Sequence, residues 1–351
     1  MLACLEILLA VALASPPRLE WLPATQRLLA PNATYGRMKR LADGAVLCCF
    51  ERDGRSWVMR SEDDATTWST PLAAGVCAGA VAANPDLCPL RGGGVLLMFN
   101  QRPIAGGNVP FAIRVSTSRD GGRTWQTRGE PVYTAGTTRD QACWEPAAVQ
   151  MPDGEVRLFF SHELSGAQEI AVTTSRDEGE TWTPARRVSL RPGHRDGMPA
   201  PLLLADGRLV VAIEDNGLAA PQFRPTILDI DDNDAIGADS PRRRPALAEP
   251  PRAGANLAAP YLARLTTGEV LLSVQSNEDD ARWHRPAVYV GDAQARNFGG
   301  RTLPFGLAEA DGKWNSLFVK DADTVLALSH TIVGGRRGLW CVEGRVVRDE
   351  P

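Results

Sequence analysis

The sequence lacks the features that would organise a metal- or disulfide-built protein. Its seven cysteines (Cys4, Cys48, Cys49, Cys77, Cys88, Cys143 and Cys341) form no CxxC pair and no zinc-ligand spacing, which excludes a thiol-redox motif or a zinc ribbon as the organising element. The odd count argues against a fully bridged framework. Cys48-Cys49 sits in an apolar run and reads as core, while a bridge such as Cys77–Cys88 stays open. A chain of 351 residues buries enough surface to need no staple, and neither a metal nor a cofactor is expected. No segment approaches 18 uninterrupted apolar residues, so no membrane span is expected. A net charge of −4 gives no electrostatic reason to bind nucleic acid or an anionic membrane. The first residues lack Lys and Arg, and Glu6 stands where an export signal carries basic charge. The short apolar stretch from Ile7 to Ala14 nevertheless ends in Ala12-Leu13-Ala14, which fits a small-residue cleavage site. Residues 1–14 are therefore read as an export signal, with a secreted or periplasmic product, and residues 15–351 as one domain.

What is abundant is punctuation. Thirty-three glycines and 26 prolines favour many turns and short strands over long helices. Ser61-Glu62-Asp63-Asp64-Ala65-Thr66-Thr67-Trp68, Ser118-Arg119-Asp120-Gly121-Gly122-Arg123-Thr124-Trp125 and Ser175-Arg176-Asp177-Glu178-Gly179-Glu180-Thr181-Trp182 are one motif, S-x-D-x-G-x-T-W, recurring every 57 residues. It suits a hairpin turn: the Asp accepts backbone bonds, the Gly supplies positive φ and the Trp packs over the turn. The first copy is degenerate, with Ala65 in the Gly position. A second pattern runs through the whole chain. An apolar strand, a tight turn and a returning apolar strand recur six times, with turn positions Gly44, Gly93, Gly154, Gly207, Gly268 and Asp323, a mean step of about 56 residues. Six antiparallel units of this length predict an all-β, six-bladed β-propeller with Asp-box turns. Residues 221–254, rich in Pro, Arg and Asp, are expected to hold the outer part of blade four and a long solvated loop. Their Asp231-Asp232-Asn233-Asp234 run lacks the Gly and terminal Glu of a calcium loop.

The repeat also locates a site. Prolines stand eight residues before the turn in four units (Pro85, Pro146, Pro199, Pro260), preceded by Asn84, Glu145, Met198 and Ala259. Seven residues after each turn come Glu51, Asn100, Ser161, Glu214, Gln275 and His330, all polar at the end of an apolar strand. In an antiparallel hairpin these two sets lie at the same end. With the first strand innermost, they ring the mouth of the central channel, and Glu145 and Glu214 point from neighbouring blades into one pocket. Two carboxylates flanking a sugar linkage are what most glycosidases use, one as acid and one as nucleophile or base. Proximity raises one of the two pKa values and separates the roles.

The box motif resembles the Asp-box of sialidase-like propellers. Tyr35-Gly-Arg37, Asn84-Pro85 with Asn100-Gln101-Arg102, Trp144-Glu145-Pro146, Gly197-Met198-Pro199 with Ala212-Ile213-Glu214, Ala259-Pro260-Tyr261 with Gln275-Ser276-Asn277, and Trp314-Asn315-Ser316-Leu317-Phe318 follow in an order that resembles glycoside hydrolase family 93. That family consists of six-bladed, exo-acting, retaining α-L-arabinanases. The resemblance implies Glu145 and Glu214 as the catalytic pair; Glu145 is favoured as nucleophile and Glu214 as acid/base, with the reverse assignment left open by the sequence. It further implies Arg37 and Arg102 as donors to sugar hydroxyls, and Tyr35, Trp144 and Trp314 as stacking surfaces. Asn84, His162 and Asn277 are further pocket candidates, with Asp215 and His194 behind them. The expected partner is an oligo- or polysaccharide acted on by a monomer. Four tyrosines in total leave the chain poorer in aromatic decoration than an arabinan binder would need.

Three other readings stand beside this one. An exo-sialidase needs three arginines around a carboxylate and a Tyr nucleophile. Arg37 and Arg102 supply two, and Ser161-His162 and Gln275-Ser276 occupy strand ends where others belong. A non-catalytic glycan-binding propeller would need no acid/base pair. A polysaccharide lyase would use Tyr and His.

Overall fold

Each of the six hairpins does form, and the five glycine turns carry the φ that glycine tolerates, from 85° at Gly93 to 111° at Gly268. The computed structural model describes residues 16–231, 235–306 and 311–348. They build six antiparallel sheets arranged as the blades of a propeller. The first strand of each repeat is innermost: Thr34–Arg40, Ala80–Pro89, Cys143–Gln150, Asp196–Leu203, Leu257–Arg264 and Lys313–Val319. The last blade is completed by the N-terminal strand Arg18–Pro31, which pairs with Arg336–Val347 and closes the ring. Six blades with alternating inward positions bury apolar clusters between neighbouring sheets; Phe159, Ile213 and Leu228, for example, pack together between blades three and four. The proposed export signal lies outside the described residues.

A second regularity, invisible as composition, sits at one end of every innermost strand. Between Trp144 and Ala147 two residues face one on the partner strand, and the same bulge recurs in all six blades. Its first residue has positive φ each time, at 47–56°: Tyr35, Asn84, Glu145, Met198, Ala259 and Trp314. In four blades the polar strand-end residue found by sequence engages the backbone N–H of the next blade's bulge residue, and in the other two it engages a carbonyl two residues before the bulge. Glu51 accepts from Asn84 N (3.1 Å), Ser161 from Met198 N (3.0 Å), Glu214 from Ala259 N (2.8 Å) and Gln275 from Trp314 N (3.1 Å). Asn100 Nδ2 donates to the Cys143 carbonyl (2.8 Å), and His330 bonds the Ala33 carbonyl (2.9 Å). These six clasps tie each blade to the next around the ring.

The Asp-boxes lie at the far end. In the two complete copies, Trp125 and Trp182 donate to Gly122 and Gly179 carbonyls at 3.1 and 3.0 Å. A Cβ on Gly122 would meet Leu47 of the preceding blade at 2.8 Å, so the motif glycine also serves as an inter-blade contact. In the degenerate copy, the Ala65 carbonyl is taken instead by Arg27 from the closing strand (2.8 Å), and Trp68 Nε1 is buried without a partner among the described residues. Closure of the ring has replaced the Trp bond there.

The bridge left open between Cys77 and Cys88 does not form, since both are free thiols, and one expectation is corrected. The region 221–254 does supply blade four's outer strands Gln222–Ile230 and Arg243–Pro245, but Arg243 is not solvated: its side chain is 2% exposed and reaches Asp196 and Asp215. The acidic run at 231–234 falls largely outside the described residues.

Candidate active site

Glu145 owes its position to the bulge of blade three. Positive φ at 54° tips its carboxylate toward blade four, where Oε2 accepts the Met198 N–H at 3.2 Å and faces the Ser161 hydroxyl at 3.5 Å. Glu214 stands cross-strand from Gly197 in blade four. A Cβ placed on Gly197 would lie 3.0 Å from Glu214 Oε1 and 2.7 Å from Gln168 Oε1. Both carboxylates therefore lean on one peptide unit, Gly197–Met198, and the glycine is what makes room for the second of them. They open into the same cleft of about 620 Å³, which Trp144, Glu163, Gln168 and Arg195 also line, a volume in the range of small-ligand sites.

The electrostatics separate the two acids. Glu214 is pushed up to about 8, first by burial and then by the neighbouring charge of Glu145, against opposition from the Ala259 N–H and Arg195. Burial also raises Glu145, but Arg102, the Met198 N–H and Arg195 work against the rise, while Glu163 adds to it. Of the pair, Glu145 ionises first and Glu214 keeps the proton.

The wall of the cleft is organised by a residue that the repeat did not single out. Glu163 Oε1 accepts from Trp144 Nε1 (2.9 Å), Gln168 Nε2 (2.9 Å) and Arg195 NH2 (2.6 Å), and Oε2 accepts Arg195 NH1 (3.0 Å). Arg102 lies over the Trp144 ring at 5.1 Å and donates its Nε to Asn100 at 2.7 Å. Behind Glu214, Asp196 and Asp215 are cross-strand neighbours with no exposed surface. Arg243 bridges them and Arg191 reaches Asp215 at 3.3 Å.

Several expected pocket residues lie elsewhere. Tyr35 packs with Met198, Ala259 and Trp314 over the axis, so the cleft is displaced onto blades three and four rather than centred. Arg37, 3% exposed, donates to the carbonyls of Gly36, Trp314 and Asn315 and stacks on Tyr35 and Tyr261. It braces the axis and does not line the cleft. Asn84 is buried, its Oδ1 unpartnered among the described residues. His162 bonds Tyr133 (3.2 Å) and Glu169 (3.0 Å) on the face toward blade two. Asn277 accepts the Asn256 N–H at 2.6 Å within blade five. Asp215 supports from behind, and His194 joins its loop to Gln168 through its carbonyl at 2.9 Å. Only Glu145, Glu214, Trp144 and, at the edge, Arg102 come together as expected. The signal for Glu163 was its alternation with Ser161 on a strand already marked by the repeat. Arg195 and Arg243 carried no such signal. A cleft of similar size, about 650 Å³, lies between two Asp-boxes. Its Arg119 and Arg128 are paired with Glu180, and their hydrogen bonds hold that carboxyl below the usual carboxylate range, unlike the raised acids of the first cleft.

The fold and cleft define a six-bladed propeller with a paired-carboxylate pocket. A family model described as a BNR repeat-like domain matches residues 106–289, over half the chain, and the protein belongs to that family. Among solved structures, it is similar to a protein of unknown function from Dyadobacter fermentans (15% identity, 93% of this chain and 99% of that one, TM-score 0.71). It is similar to an α-L-arabinofuranosidase from Fusarium graminearum solved with an iminosugar inhibitor (19%, 95% and 98%, TM-score 0.70). A Penicillium chrysogenum α-L-arabinanase complexed with arabinobiose also matches (16%, 95% and 98%, TM-score 0.61). At these identities the likeness is one of fold. Among the described residues no helix is long and apolar enough to cross a membrane.

Proposed function

We propose that the protein is an exo-acting, retaining glycoside hydrolase, with Glu214 as acid/base, Glu145 as nucleophile and an α-1,5-arabinan-type polysaccharide as substrate. The observation that carries this reading is the convergence of Glu145 and Glu214 on the Gly197–Met198 peptide, with Glu214 held protonated to about pH 8. Glu214 gives its proton to the glycosidic oxygen as that C–O bond breaks, and Glu145 attacks the anomeric carbon to form a glycosyl ester. Water then displaces Glu145, losing its proton to Glu214, and the configuration is retained. Trp144, fixed by Glu163, offers a sugar-stacking wall. The arabinan assignment draws on the order of motifs and on the similarity to an α-L-arabinofuranosidase and an α-L-arabinanase. A polymeric substrate also fits export.

The rival chemistries find less support. A Tyr nucleophile would need an accessible phenolate, whereas burial, only partly offset by Arg37, drives Tyr35 well above the usual phenol range. Arg37 is committed to main-chain carbonyls and is not available to clamp a carboxylate. A lyase would require a Tyr or His, and neither is among the described residues that line the cleft.

Product analysis on debranched arabinan, with sialyl-lactose as control, tests the proposal. Release of arabinobiose, its anomer read by NMR before mutarotation, supports it; free sialic acid overturns it. A purely glycan-binding propeller would bind without turnover, and Glu145→Gln would then change nothing in product release.

A further inference from the structure

The ion pair between Glu163 and Arg195 stands apart from the other charges at the cleft. Glu163 has a side chain only 8% exposed, yet all its bonds go to cleft residues, while Arg195 is 45% exposed at the rim. A buried carboxylate that receives four donors is normally a device for holding those donors in place. Here the donors are the Trp144 indole, the Gln168 amide and both terminal nitrogens of Arg195. Gln168 in turn presses Oε1 toward Gly197, on which both catalytic carboxylates lean.

We propose that Glu163 and Arg195 form a charge-setting pair, a positioning element that fixes the Trp144 wall and determines how strongly the guanidinium acts on Glu145 and Glu214. This rests on the hydrolase reading for its purpose, though not for its measurement. The bidentate fork holds Arg195 at the cleft edge and offsets its charge with a carboxylate two residues from the Ser161 that faces Glu145. A free arginine at that position would favour ionised glutamates and strip Glu214 of the proton that an acid must donate. A missing arginine would leave two buried carboxylates less willing to share one negative charge. The pair keeps the pocket between these limits.

Other charged groups also face these acids. Glu145 meets Arg102 from blade two and Glu163 from its own blade. Glu214 meets Glu145 and Arg195, the backbone N–H of Ala259 from blade five, and at its back the quartet Asp196, Asp215, Arg191 and Arg243, whose charges balance. Arg139 and Asp140, adjacent and opposite in sign, line the far side of the cleft. Removing either member of the pair therefore leaves an imbalance that none of these groups offsets.

The two halves of the pair make opposite predictions, which a merely structural role does not. Carboxyl ¹³C NMR of the glutamate-labelled protein, with Glu214 assigned through Glu214→Gln, reads its titration midpoint without any substrate. Glu163→Gln lowers the midpoint by about one pH unit, because Arg195 loses its counter-charge. Arg195→Gln raises it by about half a unit to one unit, and the double variant returns toward wild type. Midpoints that stay put, or move in the same direction in both variants, overturn the proposal. Should Glu163→Gln fail to fold, Arg195→Gln decides alone, since that side chain is half in solvent: a rise supports the pair's role and an unchanged midpoint refutes it. Opposite shifts in a protein inactive on glycosides would uphold this inference while the hydrolase reading falls.

Discussion

Glu51 in blade one and Glu214 in blade four occupy the same repeat position. Each ends the second strand of its blade, and each accepts the N–H of the next blade's bulge residue, Asn84 at 3.1 Å and Ala259 at 2.8 Å. One clasp differs from the other only in its surroundings. Blade one contributes Tyr35 at its own bulge, and the preceding blade contributes Trp314, two aromatic side chains that pack over the axis. Blade four has Met198, the preceding blade has Glu145, and Gly197 clears space between them. The same structural glutamate therefore becomes a candidate acid only where a second carboxylate and a cleft meet it. A repeat supplies the scaffold bond six times, and chemistry needs one pair of blades to depart from the rest.

The sharpest way to break this comparison is to neutralise the acids. Glu145→Gln and Glu214→Gln are each expected to lower kcat about 10³–10⁴-fold, measured on the arabinan that the product assay identifies. Glu214→Gln should also be the more stable protein in alkali. The folded chain holds a proton at Glu214 up to about pH 8, whereas an unfolded glutamate releases it near 4.5. Stability fully present below the lower value is lost as pH climbs to the upper one. Thermal melts should show the variant about 2–4 °C above wild type at pH 8.5 and level with it at pH 4. A variant that melts lower at both would mean that the carboxylate is a structural clasp alone, as in blade one.

Blade four also has a backing that blade one lacks. Asp196 and Asp215, fully buried and cross-strand from each other, adjoin Gly197 and Glu214 in sequence and depend on Arg243 for charge balance. Arg243→Met leaves both carboxylates short of a counter-ion and is expected to cost about 3–5 kcal/mol, read from urea denaturation. A loss under about 1 kcal/mol would show that Arg191 suffices to hold the pair.

How much of this was legible in the sequence follows from what repeats and what does not. The blade count, the Asp-box turns and the polar ring recur at fixed offsets, so alignment of the chain with itself exposes them, and Glu145 and Glu214 with them. The bulge was half legible, as prolines after Asn84, Glu145, Met198 and Ala259; the positive φ before them was not. Arg243 was hidden because three consecutive arginines beside prolines carry the composition of a solvated loop, and only the sheet reveals that alternate residues of a strand face opposite sides. Arg37 misled for a related reason. An arginine near a propeller axis can serve a substrate or the axis itself, and the carbonyls of Trp314 and Asn315, nearly 280 residues away, decide in favour of the axis.

A subtler change sharpens the contrast by filling the space rather than altering charge. Gly197→Ala places a methyl 2.7 Å from Gln168 Oε1 and 3.0 Å from Glu214 Oε1. Both neighbours are side-chain ends able to yield, so the fold should persist while Glu214 shifts by a fraction of an ångström. Misplacement on that scale is expected to lower kcat about 10–100-fold with little change in the urea midpoint. An unaffected kcat would show that the carboxylate's position against this peptide is not what catalysis requires.

The smallest effect belongs to the other half of the comparison. Glu51→Gln keeps an oxygen that can accept the Asn84 N–H and removes only the charge from that clasp. Exchange of a charge-assisted bond for a neutral one should cost about 1 kcal/mol of stability. The side chain is outside the cleft-lining set, so kcat and KM should stay within about twofold of wild type. If Glu51→Gln instead disabled turnover as thoroughly as Glu214→Gln, ring geometry would be the shared requirement, and the special chemistry assigned to blades three and four would have no basis.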